Sequence, residues 1–195
     1  MKIKLSAVIL AAGESLRMGS PKALLKIGKN TFLEKIYNNL QLCNFNEILC
    51  VLGKDSEQIK SDHSTLFMNY LINENHALGQ ISSIQKGIES VKEDSEGVFL
   101  ALVDMPLVKI ETMRSMIKVW EENKENIIIP TYDDHGGHPV IFPRKFFPNL
   151  LNAPMDEGAR HVVYNNPDAV IRVPVSDPGV RKDFDYPGDL SDLEI

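Results

Sequence analysis

The sequence predicts an α/β fold of three layers, with a mostly parallel central sheet and helices on both of its faces. Three observations carry this. Short runs rich in Val, Ile and Leu, such as Leu5 to Ala11 and Val98 to Val103, suit strands buried on both faces. Between such runs apolar residues recur at helical spacing, as at Phe32, Leu33, Ile36, Tyr37 and Leu40. Strand-like and helical segments alternate, which is the pattern of βαβ units around a parallel sheet. With 195 residues and 43% hydrophobic content, the chain can bury roughly two-thirds of the surface it exposes when unfolded. One domain spanning 1–195 is therefore expected.

Taken in order, Leu5 to Ala11 reads as a central strand, and Thr31 with Glu34 forms a capping box at the start of the first helix. Glu47 to Leu52 predicts a second strand and Phe67 to Ile72 a third, with a short polar helix between them. Ile81, Ile84, Ile88 and Val91 predict a helix, followed by the strand Val98 to Val103, which stops at Asp104-Met105-Pro106. A helix around Met113, Met116, Ile117 and Trp120 leads to the strand Ile127 to Ile129. The rhythm then changes. Tyr132 to Gly137 is turn-rich, His138 to Phe142 is strand-like, and short helices are expected at 145–151 and 157–164. The stretch of about 131–165 reads as an insertion. Ala169 to Val175 supplies another strand before the acidic tail, 183–190.

A net charge of -6 argues against a general nucleic-acid binder, which needs a basic face for phosphates. No stretch approaches the roughly 20 apolar residues that span a bilayer, and Met1 to Ser6 runs straight into a strand; a cytoplasmic protein is expected. Cys43 and Cys50 read as buried thiols.

Leu10-Ala11-Ala12-Gly13-Glu14-Ser15-Leu16-Arg17-Met18-Gly19-Ser20-Pro21-Lys22 follows the carboxyl end of the first strand, where open α/β sheets bind ligands. Small residues at 11–13 let backbone amides approach an anion, and Gly13 and Gly19 permit bends. Arg17 suits bidentate phosphate contact and Lys22 acts as a movable point charge. Neither the Walker nor the dinucleotide glycine pattern is present, so a P-loop ATPase and an NAD-dependent oxidoreductase lose ground.

The string Leu-Ala-Ala-Gly-x-Ser-x-Arg-Met-Gly-x-x-Lys resembles the loop of the molybdenum cofactor cytidylyltransferase family, within the sugar-nucleotidyltransferase group. The resemblance continues through Gly79-Gln80-Ile81-Ser82-Ser83, Asp104-Met105-Pro106, Gly137-His138-Pro139-Val140-Ile141-Phe142, Gly158-Ala159-Arg160 and Asp183-Phe184-Asp185. It implies a GT-A-like fold in which Leu10, Ala11, Ala12, Gly13, Ser15, Arg17, Met18, Gly19 and Lys22 hold the nucleotide, with Gly79, Gln80, Ser82 and Ser83 near base and ribose. It also implies CTP as donor, molybdopterin or molybdenum cofactor as acceptor, and a molybdoenzyme as client.

Asp104 ends a buried strand, where a carboxylate can hold Mg²⁺ with one partner; by resemblance that partner is Asp185, with Asp183 as the alternative. A turn or N-cap role is the other reading of Asp104. Lys22, Arg17 and Asp104 are the expected catalytic groups. His138 and Arg160 are expected to touch the acceptor, the alternatives being a structural hydrogen bond and a salt bridge to the acidic tail. His63, His76, His135 and His161 read as structural or solvent-facing. The chain departs from the family's Asp-Ile-Asp-Thr-Pro-Glu-Asp at Phe184, Tyr186 and Gly188. It also carries Asp133, Asp134 and His135 where relatives often have a basic residue, and clustered acids there would repel a phosphorylated acceptor. Two rival readings share the loop: transfer to a sugar phosphate or other phosphorylated metabolite, and non-catalytic delivery of molybdenum cofactor.

Overall fold

A computed structural model describes residues 3–64, 66 and 68–193. Phe67, at the start of the strand expected over Phe67 to Ile72, lies outside the described residues, as do Met1 and Lys2 ahead of the first strand. The elements run β1 (Ile3–Ala11), β2 (Lys26–Ile27), β3 (Asn30–Thr31), α1 (Phe32–Gln41), β4 (Phe45–Leu52), α2 (Ser56–Asp62), β5 (Asn69–Ile72), α3 (Gln80–Ser90), β6 (Gly97–Leu102), α4 (Ile110–Glu122), β7 (Ile127–Tyr132), β8 (His135–Gly136), β9 (Val140–Pro143), α5 (Phe147–Leu151), α6 (Ala159–Tyr164) and β10 (Val170–Pro174).

The main sheet has the order β10-β7-β9-β6-β1-β4-β5, with β8 paired to β7. All neighbours along that path are parallel except β9, which runs antiparallel to both β6 and β7. Period-2 alternation divides β1 between the two sides: Leu5, Ala7 and Ile9 join the core beneath α1 and α4, while Val8 and Leu10 join the one beneath α3 and α5. The helical stripes lock onto these faces, with Leu33, Ile36 and Trp120 on one side and Ile81, Ile84 and Leu150 on the other. This is the mostly parallel sheet with helices on both faces that the alternation predicts.

The capping box of α1 forms as expected: Glu34 N–H donates to Thr31 Oγ1 (3.1 Å) and Thr31 N–H to Glu34 Oε2 (2.5 Å). Cys43 and Cys50 are free and buried. The stretch 131–165 is less of an appendage than its changed rhythm implies. Val140–Pro143 is buried along its whole length and β9 is inserted into the sheet between β6 and β7. An apolar run without alternation predicts a strand but not its neighbours. The helix expected over 157–164 is shortened to Ala159–Tyr164, because Gly158 at its N-cap takes φ 64.

One anchor is invisible in the sequence pattern. The first turn of α4 is capped from far along the chain by Asp177, 2% exposed, whose Oδ2 accepts the Lys109 N–H (2.9 Å) and the Thr112 hydroxyl (2.7 Å). Its Oδ1 accepts the Gly179 N–H at 3.0 Å. The segment that follows is stitched to the sheet end: His138 N–H donates to Val180 O (2.8 Å) and Phe184 N–H to Asp104 O (3.0 Å).

From β1 the chain builds outward to β4 and β5 on one side, then returns to place β6 on the other side of β1. The carboxyl ends of β1 and β6 therefore flank a topological switch point, the crevice where such sheets bind ligands.

Candidate active site

At that crevice the loop after β1 and the turn after β6 meet. Lys22 opens a short 3₁₀ turn and its N–H donates to Ser15 Oγ (3.1 Å), which ties the end of the loop to its middle. Its ammonium lies 2.9 Å from Asp104 Oδ2 and also contacts Asp185 Oδ1. Burial by itself works against this ammonium, but the two carboxylates outweigh it and raise the Lys22 pKa above its ordinary value. The Asp104 side chain caps no helix, since α4 starts at Ile110 under Asp177. Asp104 Oδ1 is buried and has no hydrogen-bond partner.

Asp185 reaches this point because Phe184, 0% exposed, is inserted against Phe32, ring centroids 5.3 Å apart. Asp189 Oδ2 accepts the N–H groups of Asp185 (2.9 Å) and Tyr186 (2.8 Å), shaping the turn. Of the two tail carboxylates Asp183 is exposed and makes no ion pair among the described residues.

Two cavities meet at Asp104 and Asp185, and Lys22 lines the smaller of them. The smaller, about 400 Å³, is lined by 10–17, 21–23, Gly79, Gln80, Ser83, Asp104 and Asp185. Of the two bends that the glycines suggest, the one at Gly19 forms and the one at Gly13 does not. Gly19 takes φ 71, Ser15 takes φ 50 without having been expected to, and Gly13 is outside the positive-φ region; a Cβ on Gly13 would meet nothing within 4 Å, so glycine there leaves open space at the cavity. Gly79, φ 101, starts α3 and turns its first residues toward the cavity. Arg17 lines the same wall, its guanidinium 5.2 Å from the Tyr186 ring centroid.

Three expected nucleotide residues lie off this wall. Met18 is buried, and Gly19 and Ser82 do not line the cavity. The Ser82 hydroxyl, linked to Asn73 Nδ2 (2.9 Å) and Gly79 O (2.7 Å), braces the turn that presents Ser83. His76, which no sequence motif marks, also lines the cavity, with a buried Nδ1 that has no hydrogen bond and lies 3.7 Å from Glu14 Oε1. His63, by contrast, is structural, its Nε2 2.8 Å from Thr31 Oγ1.

The larger cavity, about 930 Å³, shares Leu10, Gln80, Leu102, Asp104 and Asp185 with the first. Its other walls include Gly137, His138, Gly158, Arg160, Asp183 and two unforeseen arginines, Arg172 and Arg181. Arg160 makes no salt bridge to the tail among the described residues. His138 Nδ1 is buried without a partner, and burial, the main cause, holds its pKa below 6.5; Arg160 adds to this and Asp104 opposes it. Asp133 and Asp134 do not line this cavity. They take φ 49 and 60 between paired Tyr132 and His135, the two positive-φ positions of a tight hairpin turn, which Asp tolerates. Both acids serve the turn, and neither is a wall of the cavity.

The donor set at the junction suits a hard divalent cation. Asp104 and Asp185 offer carboxylate oxygens from two directions, and the orphaned Asp104 Oδ1 has lone pairs to give. Magnesium-like ions take one or two protein carboxylates and fill the remaining positions with water and phosphate oxygens. Among the described residues no group of three or more His, Cys, Asp or Glu forms a closed metal cage. Nor is any described helix long and apolar enough to cross a membrane.

The molybdenum cofactor cytidylyltransferase of Escherichia coli (strain K12) is 28% identical over 152 residues, 77% of this chain and 76% of that protein. The bifunctional protein GlmU of Rippkaea orientalis (strain PCC 8801 / RF-1) is 27% identical over 147 residues, and the chain spans about a third of it, 32%. Among solved structures, Rv0371c from Mycobacterium tuberculosis H37Rv superimposes with a TM-score of 0.88 at 27% identity, covering 99% of this chain and 98% of that one. A complex of Rv0371c with manganese gives 0.82 at 25% identity over 97% of each chain. The profile of the MobA-like NTP transferase domain matches residues 7–170, and with the loop, strand ends and sheet order already assembled, the chain belongs to that family and is a nucleotidyltransferase of the MobA and sugar-nucleotidyltransferase type.

Proposed function

We propose that this chain transfers CMP from CTP to the phosphate of molybdopterin or molybdenum cofactor, uses Mg²⁺, and releases pyrophosphate. One observation carries the reading: the Asp104 and Asp185 carboxylates line both cavities, and the Lys22 ammonium is bonded to both of them from the smaller one. A nucleotide in the smaller cavity and an acceptor in the larger would put their phosphates against the same groups. The cytidylyltransferase relative supports the choice of CTP and acceptor, and the manganese bound by Rv0371c supports a divalent metal.

In this mechanism an oxygen of the acceptor phosphate attacks the α-phosphorus in line, and the bond to the bridging oxygen breaks as pyrophosphate leaves. A phosphate monoester is ionised near neutral pH, so no side chain has to remove a proton. The work left to the protein is positioning and charge stabilisation. The loop of residues 10–17 walls the triphosphate, and Arg17 and Lys22 offset charge building on the leaving group. Gly79, Gln80 and Ser83 border the base and ribose. His138, whose charged form burial disfavours, offers the acceptor a hydrogen bond, and Arg160 takes an anionic edge. Asp104 and Asp185 would hold the cation, which when bound neutralises phosphate oxygens.

Pyrophosphate release measured over four NTPs, each with molybdopterin, molybdenum cofactor and a set of sugar phosphates, tests the proposal. CTP with a molybdopterin acceptor should be preferred. Turnover with a sugar phosphate and none with molybdopterin would overturn it.

A further inference from the structure

Lys22 is bonded to both carboxylates that the proposed function gives to the divalent cation. An ammonium and a divalent ion cannot share that position, because like charges at contact distance in a half-buried site repel strongly. Lys22 is also able to leave. Its backbone is held by Ser15 Oγ, but a four-carbon stem with free rotation carries the charge. The side chains are 14% exposed for Lys22 and 25% for Asp104, so bulk water screens the pair only in part.

We propose that Lys22 is the resident counterion of the Asp104 and Asp185 pair in the nucleotide-free protein, and that the nucleotide polyphosphate draws its ammonium off and so opens the pair to the metal. This rests on the assignment of Asp104 and Asp185 as metal carboxylates. The triphosphate supplies the one thing Lys22 needs in order to move, a stronger anionic partner within reach along the same cavity. Metal and nucleotide then bind with positive coupling, and the coupling is reciprocal. The arrangement explains why one lysine can serve two anions: it satisfies the carboxylates in one state and the phosphates in the other. It also keeps two facing carboxylates from standing uncompensated before substrate arrives.

The test is binding of Mn²⁺ alone, followed by the paramagnetic resonance signal of the free ion, with and without CTP and with no acceptor present. The native chain should bind Mn²⁺ weakly until CTP is added. Lys22→Met, which keeps the stem and removes the charge, should tighten nucleotide-free Mn²⁺ binding by about tenfold or more, in the range of ordinary site-to-site coupling. Lys22→Arg, which keeps a cation there, should bind it as weakly as the native chain. Equal or weaker Mn²⁺ binding in Lys22→Met, or tight binding in Lys22→Arg, overturns the counterion role. Adding Asp104→Asn to Lys22→Met separates the two levels. Loss of the tightened binding keeps the metal at this pair. Binding that survives Asp104→Asn removes the metal assignment itself.

Discussion

The smaller cavity is walled largely by chain that is continuous in sequence, the loop 10–17 with 21–23, laid directly on the end of β1. The larger is assembled from separated stretches: the hairpin end at Gly136 to His138, the turn at 155–160, Arg172 on β10, and 180–185 in the tail. A wall made of one stretch keeps its shape through local bends and short hydrogen bonds, as Ser15 does for Lys22. A wall made of many stretches depends on how distant segments are fastened, and each segment can change without disturbing the others. In the proposed function the donor side is therefore a local motif and the acceptor side a tertiary one. The two share Leu10, Gln80, Leu102, Asp104 and Asp185, and the tail joins that shared wall where Asp185 is bonded to Lys22.

The hardest blow to that arrangement is to loosen the joint. Phe184→Ala should cost about 3–5 kcal/mol of stability, the usual range for emptying a buried aromatic site, and should weaken CTP binding with it. Chemical denaturation reads the first and a thermal shift with CTP the second; an unchanged denaturation midpoint would show that Phe184 is not the anchor. Next in size, Asp104→Ala should leave the fold intact and lower turnover by on the order of a hundredfold, the size of losing one preorganised stabiliser. Near-normal pyrophosphate release in the folded variant would remove Asp104 from the chemistry.

A smaller effect separates the two cavities. Arg172→Ala should raise KM for the acceptor by about tenfold, as for one lost hydrogen bond to a charged group, and leave KM for CTP unchanged. Steady-state kinetics with each substrate varied in turn decide it, and an equal rise for CTP would erase the division.

The least effect concerns acid. Burial holds the His138 pKa below 6.5 in the folded chain, so the unfolded chain takes up this proton first. Its contribution to stability is complete above pH 6.5 and is lost as pH falls below that value toward the depressed folded-state pKa. His138→Gln should therefore flatten the fall of Tm on the acid side of pH 6.5, and parallel Tm curves for the two proteins would count against it.

The residues that could be assigned from the sequence are those whose role is set by near neighbours. Thr31 and Glu34 cap α1 as their spacing requires, and β1 divides its side chains between two cores by simple alternation. Lys22 and Asp104 stand at loop and strand ends that the pattern located. Asp133 and Asp134 were legible as residue types but not in purpose, because two acids in positive-φ positions look in sequence like two acids beside a ligand. Arg172, Arg181 and His76 had no motif around them. Arg172 is an ordinary outward residue of a strand until that strand is placed beside β7.

The sequence by itself determined the alternation of strands and helices, the two apolar faces of the sheet, the small-residue loop with its two cations and the carboxylate at the end of β6. These follow from periodicities and turn chemistry that act over a few residues. Only the tertiary structure decided that β9 enters the sheet, that Asp177 caps α4, and that Asp185 rather than Asp183 meets Lys22. The last contact joins residues 163 positions apart. Contacts of that separation form because buried groups such as Phe184 dock on a finished core, and no local pattern encodes which distant surface will receive them.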